Sequence, residues 1–395
     1  MRRLTLREYR REPGVELSTT QRDALSTLGG VDVRPTPGQS GAYDLTPGST
    51  VGTLVVDGLQ VDLRPKIPLD RVLFLVSYAL DPVRWHEQRV GLDERATLVE
   101  AMALLWLSGA QQALRRGPLQ GYQRREEALP TVRGRIRIGD QVRTRHGLVP
   151  PVEVTYDEFT TDIEENRLLD AAAVRVARLP LRGRTIRDRL AGVLAHLDDV
   201  PFASYDVRRL PAIRFTRLNR HYRTAVELSK LVLSTTSVEL GGARREAGSF
   251  LVDMNAVFEH FLFTALVEAM PRTSIVHERR IHLDRDRRVA MKPDLTWLEG
   301  QRPVFVADAK YKALRDRDGR HADLYQLLAY VVTLGLERGL LVYAAGEGEP
   351  GHHEVVELGR SLHVAWLDLS GQPADILASV ADLASRIQQL TTAVR

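Results

Sequence analysis

The stretch "SGAYDLTPGSTVGTLVVDGLQVDLRPKI" alternates apolar and polar positions between glycines and threonines. That period predicts short strands, and residues 1–80 read as a β-rich unit. Inside it, "TLVV" and "LQVDL" flank Asp57-Gly58, a pair suited to the two φ > 0 positions of a type I′ turn, so a hairpin is expected. Pro65 and Pro68 end the second strand, and the period changes. "DRVLFLVSYAL" and residues 93–116, beginning "DERATLVEAMALLWL", space their apolar residues as helices do. "GYQRREEALPTVRGRIRIGDQVRTRHGLVPPVEVTYDEF" returns to alternation, and its Pro150-Pro151 pair marks a boundary.

Residues 160–245 read as helical and rich in arginine. "TDIEENRLLDAAAVRVARL" begins with Thr161 three residues before Glu164, the spacing of a capping box, and "FTRLNRHYRTAVELSKLVL" is a second amphipathic helix. From 246 the order is helix ("DMNAVFEHFLFTALVEAM"), three strands, helix ("DLYQLLAYVVTLGL") and strand ("GLLVYAA"), which predicts an α/β domain with a mixed sheet. The chain therefore reads as a multidomain α+β protein. Its parts are a β-rich N-terminal region over 1–150, a helical segment over 151–245 and an α/β core over 246–395.

Length and composition narrow the class. The 395 residues allow two or three domains, and 44% apolar with 27% charged residues is ordinary for a soluble globular protein. There is no cysteine, which excludes disulfides, thiolate zinc sites and thiol nucleophiles. A net charge of +4 does not by itself imply a nucleic-acid partner. The N-terminus "MRRLTLREYRREPG" lacks the apolar core of a signal peptide, and no apolar run is long enough for a bilayer. A cytoplasmic protein without a membrane partner is expected.

The chemistry concentrates in "MKPDLTWLEGQRPVFVADAKYK", residues 291–312. Two strand-like runs flank a polar turn. Asp294 lies on the first run, Asp308 and Lys310 on the second, where the i, i+2 spacing projects both side chains to one face. Carboxylates converging from the two strands repel unless a divalent cation lies between them, and an all-oxygen set favours Mg²⁺ or Mn²⁺. Lys310 beside such an ion suits water orientation or stabilisation of phosphate charge, so the set fits metal-assisted phosphodiester hydrolysis. The plainer reading is a cross-strand Asp294–Lys310 salt bridge. Against it stand Pro293 stiffening the edge, Glu259 on the upstream helix as a third carboxylate, and Gln326 four residues before Tyr330 on one helix face.

P-D followed by D-A-K resembles the PD-(D/E)xK nuclease signature. The segments "LRPKIP", "RGRIRIGDQ", "YDEFTTDIEENRLL", "RLNRHY", "DMNAVFEHF", "KPDLTW", "DAKYK" and "YQLLAY" resemble, in that order, those of McrC-like proteins. These are the nuclease subunits of McrBC-type modification-dependent restriction systems. The resemblance spans roughly residues 50–345. It implies a Mg²⁺-dependent DNA endonuclease with Asp294 and Asp308 as metal ligands, Lys310 as the catalytic lysine, Glu259 as the acid of the first core helix, a further metal ligand, and Gln326 as the glutamine of the following helix. It also implies a McrB-like AAA+ GTPase ring as partner, double-stranded and modified DNA as substrate, and an N-terminal region that binds the ring and stimulates its GTPase. The chain has no G-x-x-x-x-G-K-[ST], and "GGARREAG" lacks the phosphate-holding lysine, so no nucleotide is expected on this chain alone.

Arg208, Arg209, Arg214, Arg217, Arg220 and Arg223 form a basic run, with Arg217, Arg220 and Arg223 at helical spacing as candidates for DNA phosphate contact; Asn219 and Tyr222 support a structural reading of the same stretch. Arg133, Arg135 and Arg137 alternate on one strand as a solvated face. The acids Asp157, Glu158, Asp162, Glu164 and Glu165 are expected to serve a helix N-terminus rather than a metal. "GHHEV" is expected in an exposed loop. Alternatives to the nuclease subunit are a silent assembly factor that stimulates the ring and a stand-alone RecB-like nuclease.

Overall fold

The structure, a computed structural model, describes residues 1–28, 30–83, 85, 97–206, 209–236, 249–312, 317–344, 351–356 and 358–392. In chain order the first elements are β1 (Arg2–Arg7), β2 (Glu12–Glu16), α1 (Thr19–Leu28), β3 (Val31–Pro35), β4 (Ala42–Pro47), β5 (Thr50–Val56), β6 (Leu59–Arg64), α2 (Leu69–Leu80) and α3 (Leu98–Ala113). There follow β7 (Gly121–Leu129), β8 (Arg135–Ile136), α4 (Ile138–Arg145), β9 (Val152–Thr160), α5 (Glu164–Ala177), α6 (Arg184–His196) and α7 (Arg223–Thr236). The last are β10 (Phe250–Asp253), α8 (Met254–Ala269), β11 (Ser274–His277), β12 (Ile281–His282), β13 (Ala290–Met291), β14 (Leu295–Glu299), β15 (Arg302–Lys310), α9 (Arg317–Thr333), β16 (Arg338–Ala344), β17 (Gly351–Val355), β18 (Arg360–Leu367) and α10 (Pro373–Thr392). The mixed α+β class is as expected.

The chain forms two compact units, Met1–Met102 with Val238–Arg395, and Ala103–Ser237. In the first, the N-terminal strands build the sheets β1-β6-β5-β10 and β2-β4-β3. The Asp57-Gly58 turn has φ of 45° and 70°, as a type I′ hairpin requires, and joins β5 to β6. Leu6, Leu25, Leu45, Leu54, Leu59 and Val61 close a core between the sheets and α1. The fourth strand of the first sheet, β10, comes from 200 residues downstream and leads directly into α8, where Asp253 caps the helix by accepting from Asn255 N at 2.9 Å.

Gly52 makes that junction possible. Its φ is +131°, and a Cβ there meets the Phe250 carbonyl oxygen at 2.1 Å. Gly52→Ala is expected to cost about 3 kcal/mol through strain and overpacking, visible as a Tm drop of several degrees; an unchanged Tm contradicts the close approach.

The rest of this unit is a six-stranded mixed sheet, β11-β14-β15-β16-β18-β17, with β15, β16 and β18 parallel and the remaining pairs antiparallel. Val306, Leu341, Tyr343 and Val364 pack with Leu327, Tyr330 and Val331 of α9. α8 packs against α2 through Phe74, Tyr78 and Phe261, whose ring centroids lie 5.5–5.7 Å apart.

The second unit holds the sheet β7-β9-β8 and the helices α5, α6 and α7. Trp106 is fully buried and donates its indole N–H to Ser229 Oγ of α7 at 2.8 Å.

Several expectations are corrected. The boundary at 150/151 falls inside the β7-β9-β8 sheet, because β9 pairs with strands before Pro150; the boundary at 245/246 is not a unit boundary either, since the break lies at Ser237/Val238. The helix expected from 93 is seen from Leu98, and residues 93–96 lie outside the described residues. α5 begins after Ile163 with no side-chain cap, so Thr161 is not its N-cap. "GHHEV" is not a loop but the edge strand β17, with His352 and His353 exposed. "GGARREAG" lies outside the described residues.

Candidate active site

The hairpin expected to carry the chemistry is present. β14 and β15 pair antiparallel with Leu295 opposite Ala307, and Gly300, at φ +63°, closes the turn. This register sets Asp294 beside the C-terminal end of β15, where its Oδ2 accepts the Ala309 N–H at 2.8 Å. Its main-chain oxygen accepts the Glu278 N–H at 3.0 Å, so the strand end is held on both sides. Asp308 is 1% exposed. Its Oδ2 forms an ion pair with Lys310 Nζ, and its Oδ1 accepts no hydrogen bond. The alternative of an Asp294–Lys310 salt bridge is therefore not what the structure shows; Lys310 pairs with Asp308 on its own strand, as the i, i+2 spacing on one face favours.

The acids crowd one another. Burial pushes the Asp294 carboxyl well above the usual carboxylate range, and the charges of Asp308 and Glu259 push it further. Burial likewise raises Glu259 to about 7, with Lys310 opposing and Asp308 adding to the rise. Lys310 is pulled down by burial, but Asp308, with Asp294 and Asp323, outweighs that and holds the ammonium above its ordinary value. Three carboxylates of one electrostatic neighbourhood thus face one lysine. A buried acid with an unpartnered oxygen, beside two further acids, is a donor set short of positive charge.

"DAKYK" offers two lysines, and the structure separates them. Lys312 Nζ bonds both oxygens of buried Asp323 at 2.6 and 2.8 Å, and Asp323 also accepts from Tyr343 Oη at 2.9 Å. Lys312 belongs to the packing between α9 and β16. Lys310 alone faces Asp308.

The remaining predicted residues divide. Gln326 is exposed and donates to Tyr330 Oη at 2.8 Å; burial raises the Tyr330 phenol to about 12, and Asp308 adds to the rise, so Gln326 reaches the acids through Tyr330. Two residues were missed. Among the described residues, Glu259, His277 and Glu278 are the three metal-binding side chains whose ligand atoms all lie within 4.8 Å of one another. Glu278 is ion-paired to Lys292 at 2.7 Å, which lowers its carboxyl, and burial lowers the His277 imidazole. "IVHE" carries no spacing that points to the hairpin; only the antiparallel pairing of β11 with β14 brings it there.

Arg217, Arg220 and Arg223 are exposed and belong to the second unit. They do not share a helix face: Arg217 sits in a turn, Arg220 in a 3-10 turn over Arg220–Tyr222, and Arg223 starts α7 with its guanidinium 4.9 Å from the Phe215 ring centroid. The structural reading holds for their neighbours. Asn219 accepts from Thr216 N at 2.6 Å and donates to Glu165 at 2.9 Å, while fully buried Tyr222 accepts from Leu119 N. Arg208 lies outside the described residues. Asp162 and Glu158 pair with Arg125, and Asp162 with Arg167, so these acids serve the fold. Arg133 and Arg137 likewise face Glu158 and Glu126. Among the described residues no helix is long and apolar enough to cross a membrane.

No curated protein matches the sequence. Over the structure, the chain is similar to one in the refined half-complex of the tetradecameric assembly of Thermococcus gammatolerans McrB AAA+ hexamers with bound McrC, with 20% identity, a TM-score of 0.57, and coverage of 96% of this chain and 100% of that one. It is also similar to one in the cryo-EM structure of the Thermococcus gammatolerans McrBC complex, with 20% identity, a TM-score of 0.47, and coverage of 68% and 88%. Residues 45–344, most of the chain and all the site residues named above, match the family described as McrBC 5-methylcytosine restriction system component. With its McrC-like sequence order and fold, the chain belongs to the McrBC restriction-system component family.

Proposed function

We propose that this chain is the nuclease subunit of an McrBC-type restriction system, a PD-(D/E)xK endonuclease that hydrolyses phosphodiesters of modified double-stranded DNA when an McrB-like AAA+ GTPase ring engages it. The observation that carries this reading is Asp308: a fully buried carboxylate with one orphaned oxygen, on the same strand face as a charged lysine and beside Asp294 and Glu259. Burying such a set without a counter-charge is costly, which a structural role does not explain. The residues fit a hard divalent cation, since their donors are all carboxylate oxygens.

Asp294, Asp308 and Glu259 are the residues that hold Mg²⁺, or Mn²⁺ in its place. When bound, the cation supplies charge neutralisation at the scissile phosphate and a lowered pKa for a nearby water. Asp308 keeps Lys310 protonated and aimed along the face it shares with the acids. From there the Lys310 ammonium donates to a phosphate oxygen or to the attacking water, and its charge stabilises the negative charge that grows in the transition state. The Asp294 carboxylate is fixed by the Ala309 N–H, so the acids are preorganised rather than gathered by substrate.

The ring partner is supported by the family and by the McrB hexamers of the assembly that the fold resembles. Arg217, Arg220 and Arg223, exposed and in no ion pair among the described residues, suit sequence-independent phosphate contact. The test is cleavage of methylated and unmethylated plasmid with and without the AAA+ partner, GTP and Mg²⁺. Cutting that requires partner, nucleotide and divalent cation is the expected result. A ring GTPase that rises on addition of this chain while no DNA is cut makes the chain an assembly factor instead.

A further inference from the structure

Behind the active-site strand lies a second buried charged group that the reaction above does not use. Tyr311 follows Lys310 and turns to the other side, where its ring lies 6.3 Å from Phe258 of α8 and its hydroxyl donates to Glu8 Oε2 at 3.2 Å. Glu8 is 3% exposed; the same oxygen accepts the Lys66 N–H at 2.6 Å, and its Oε1 has no partner. The Lys66 ammonium stands 4.0 Å from the centroid of the Tyr311 ring and donates to two main-chain carbonyls, Lys312 at 3.0 Å and Ala344 at 3.1 Å. Tyr9, at φ +55°, adds a hydrogen bond from its hydroxyl to Tyr311 O at 2.6 Å.

The two carbonyls that Lys66 bonds belong to the ends of neighbouring parallel strands. Lys310 pairs with Tyr343 across β15 and β16, and Lys312 O and Ala344 O lie just past that pair. Lys312 O lies past the end of β15 and Ala344 O belongs to the last residue of β16, and one buried ammonium bonds both. The charge is costly there: burial lowers Lys66 to about 8 and raises Glu8 to about 7. Two hydrogen bonds between neutral groups would hold the strands at less expense, so the buried charge calls for a use. Glu8 and Tyr9 also lie outside residues 45–344, the part of the chain that matches the family.

We propose that Lys66, backed by Glu8, is a positioning residue for the cleavage reaction: it staples the ends of β15 and β16 and thereby fixes where Lys310 stands against Asp308. This rests on the nuclease reading above. It does not make Lys66 a catalytic residue, because its ammonium is spent on Lys312 O, Ala344 O and the Tyr311 ring rather than on Asp308.

The experiment compares the full chain and Lys66→Met, each with the AAA+ partner, GTP, Mg²⁺ and methylated plasmid, and follows hydrogen–deuterium exchange of the peptide spanning 305–312. Outer-shell supports of this kind are worth about 10–100-fold, so kcat falls by that factor while KM for DNA and the Mg²⁺ requirement hold within about twofold. Exchange at the end of β15 accelerates while the other strands keep their protection. A kcat within about twofold of wild type, or a KM that rises with kcat unchanged, overturns the proposal. If Lys66→Met does not fold, Tyr9→Phe decides, since it removes one hydrogen bond to Tyr311 O: a fall in kcat at constant KM supports the staple and an unchanged kcat sinks it. If the wild-type complex cuts nothing, the nuclease reading fails, and the exchange data separately show whether Lys66 holds the strand end.

Discussion

Lys310→Met is expected to slow plasmid cleavage about 100-fold or more with the fold intact, whereas Lys312→Met lowers stability and leaves the chemical step close to wild type. The two lysines are two residues apart, Lys310 the last residue of β15 and Lys312 just beyond it. Their partners differ. Lys310 is the counter-ion of Asp308, an acid with an orphaned oxygen, and methionine keeps the stem while deleting the charge that the proposed reaction uses. Lys312 is bound to both oxygens of Asp323, whose other partner is Tyr343. Removing it leaves a buried carboxylate half satisfied, at a cost of about 2 kcal/mol, discounted because Lys312 itself is partly exposed. Single-turnover cleavage beside thermal melts separates the two outcomes. Equal losses of kcat in both variants contradict the assignment of Lys310.

Without divalent ions, the chain is expected to lose stability as pH rises from about 4 to about 7, and Mg²⁺ is expected to restore it most at the upper end. The sign follows from proton counts. Asp294 and Glu259 have folded values raised above their ordinary 3.8 and 4.5, Glu259 to about 7, so across this window these acids hold more protons in the folded chain than in the unfolded one, against the opposite contribution of His277 and of His363, which burial lowers to about 4. Stability then declines with rising pH as the folded acids are made to ionise together. Glu8, also raised to about 7, adds the same sign. Lys66, lowered to about 8 from 10.5, acts above this window, where its contribution rises with pH. Under the proposed function Mg²⁺ would bind the ionised acids of the folded chain and not the unfolded one, so its stabilisation is expected to grow as the protons leave. Asp294→Asn keeps an oxygen for the Ala309 N–H and removes one charge; it should flatten the pH slope, shrink the Mg²⁺ effect and raise the metal-free Tm. Melts at several pH values with EDTA or Mg²⁺ provide the check, and a Tm that climbs with pH in EDTA contradicts the reading.

The legible part of this fold is the part set by short-range chemistry. The Asp57-Gly58 turn, the α2 and α8 helices, the β14–β15 hairpin and the order β15, α9, β16 all follow from local period and turn residues. Asp294, Asp308 and Lys310 were readable for the same reason, since one hairpin and an i, i+2 spacing bring them together. What the sequence hid depends on pairing across long separations. β10 completes a sheet begun about 200 residues earlier, and β9 pairs with strands on the other side of Pro150, so neither the return at 250 nor the continuity across 150 shows in local pattern. His277 and Glu278 reach Glu259 only through β11 pairing with β14. Glu8 meets Tyr311 across 303 positions. Arg217, Arg220 and Arg223 looked helical by spacing, but the hydrogen bonds of Asn219 to Thr216 and Arg214 hold the chain in turns there, and the α-helix starts only at Arg223.

The most direct measurement is the rate at which the complex linearises methylated plasmid with Mg²⁺, wild type beside Asp308→Asn. Asparagine keeps the volume and the buried position but not the charge. A loss of about 1000-fold, with ring GTPase stimulation retained and a Tm no lower than wild type, is the predicted result. An Asp308→Asn protein that cuts at the wild-type rate contradicts the account, because a buried carboxylate with an oxygen that accepts no hydrogen bond would then have no part in the chemistry.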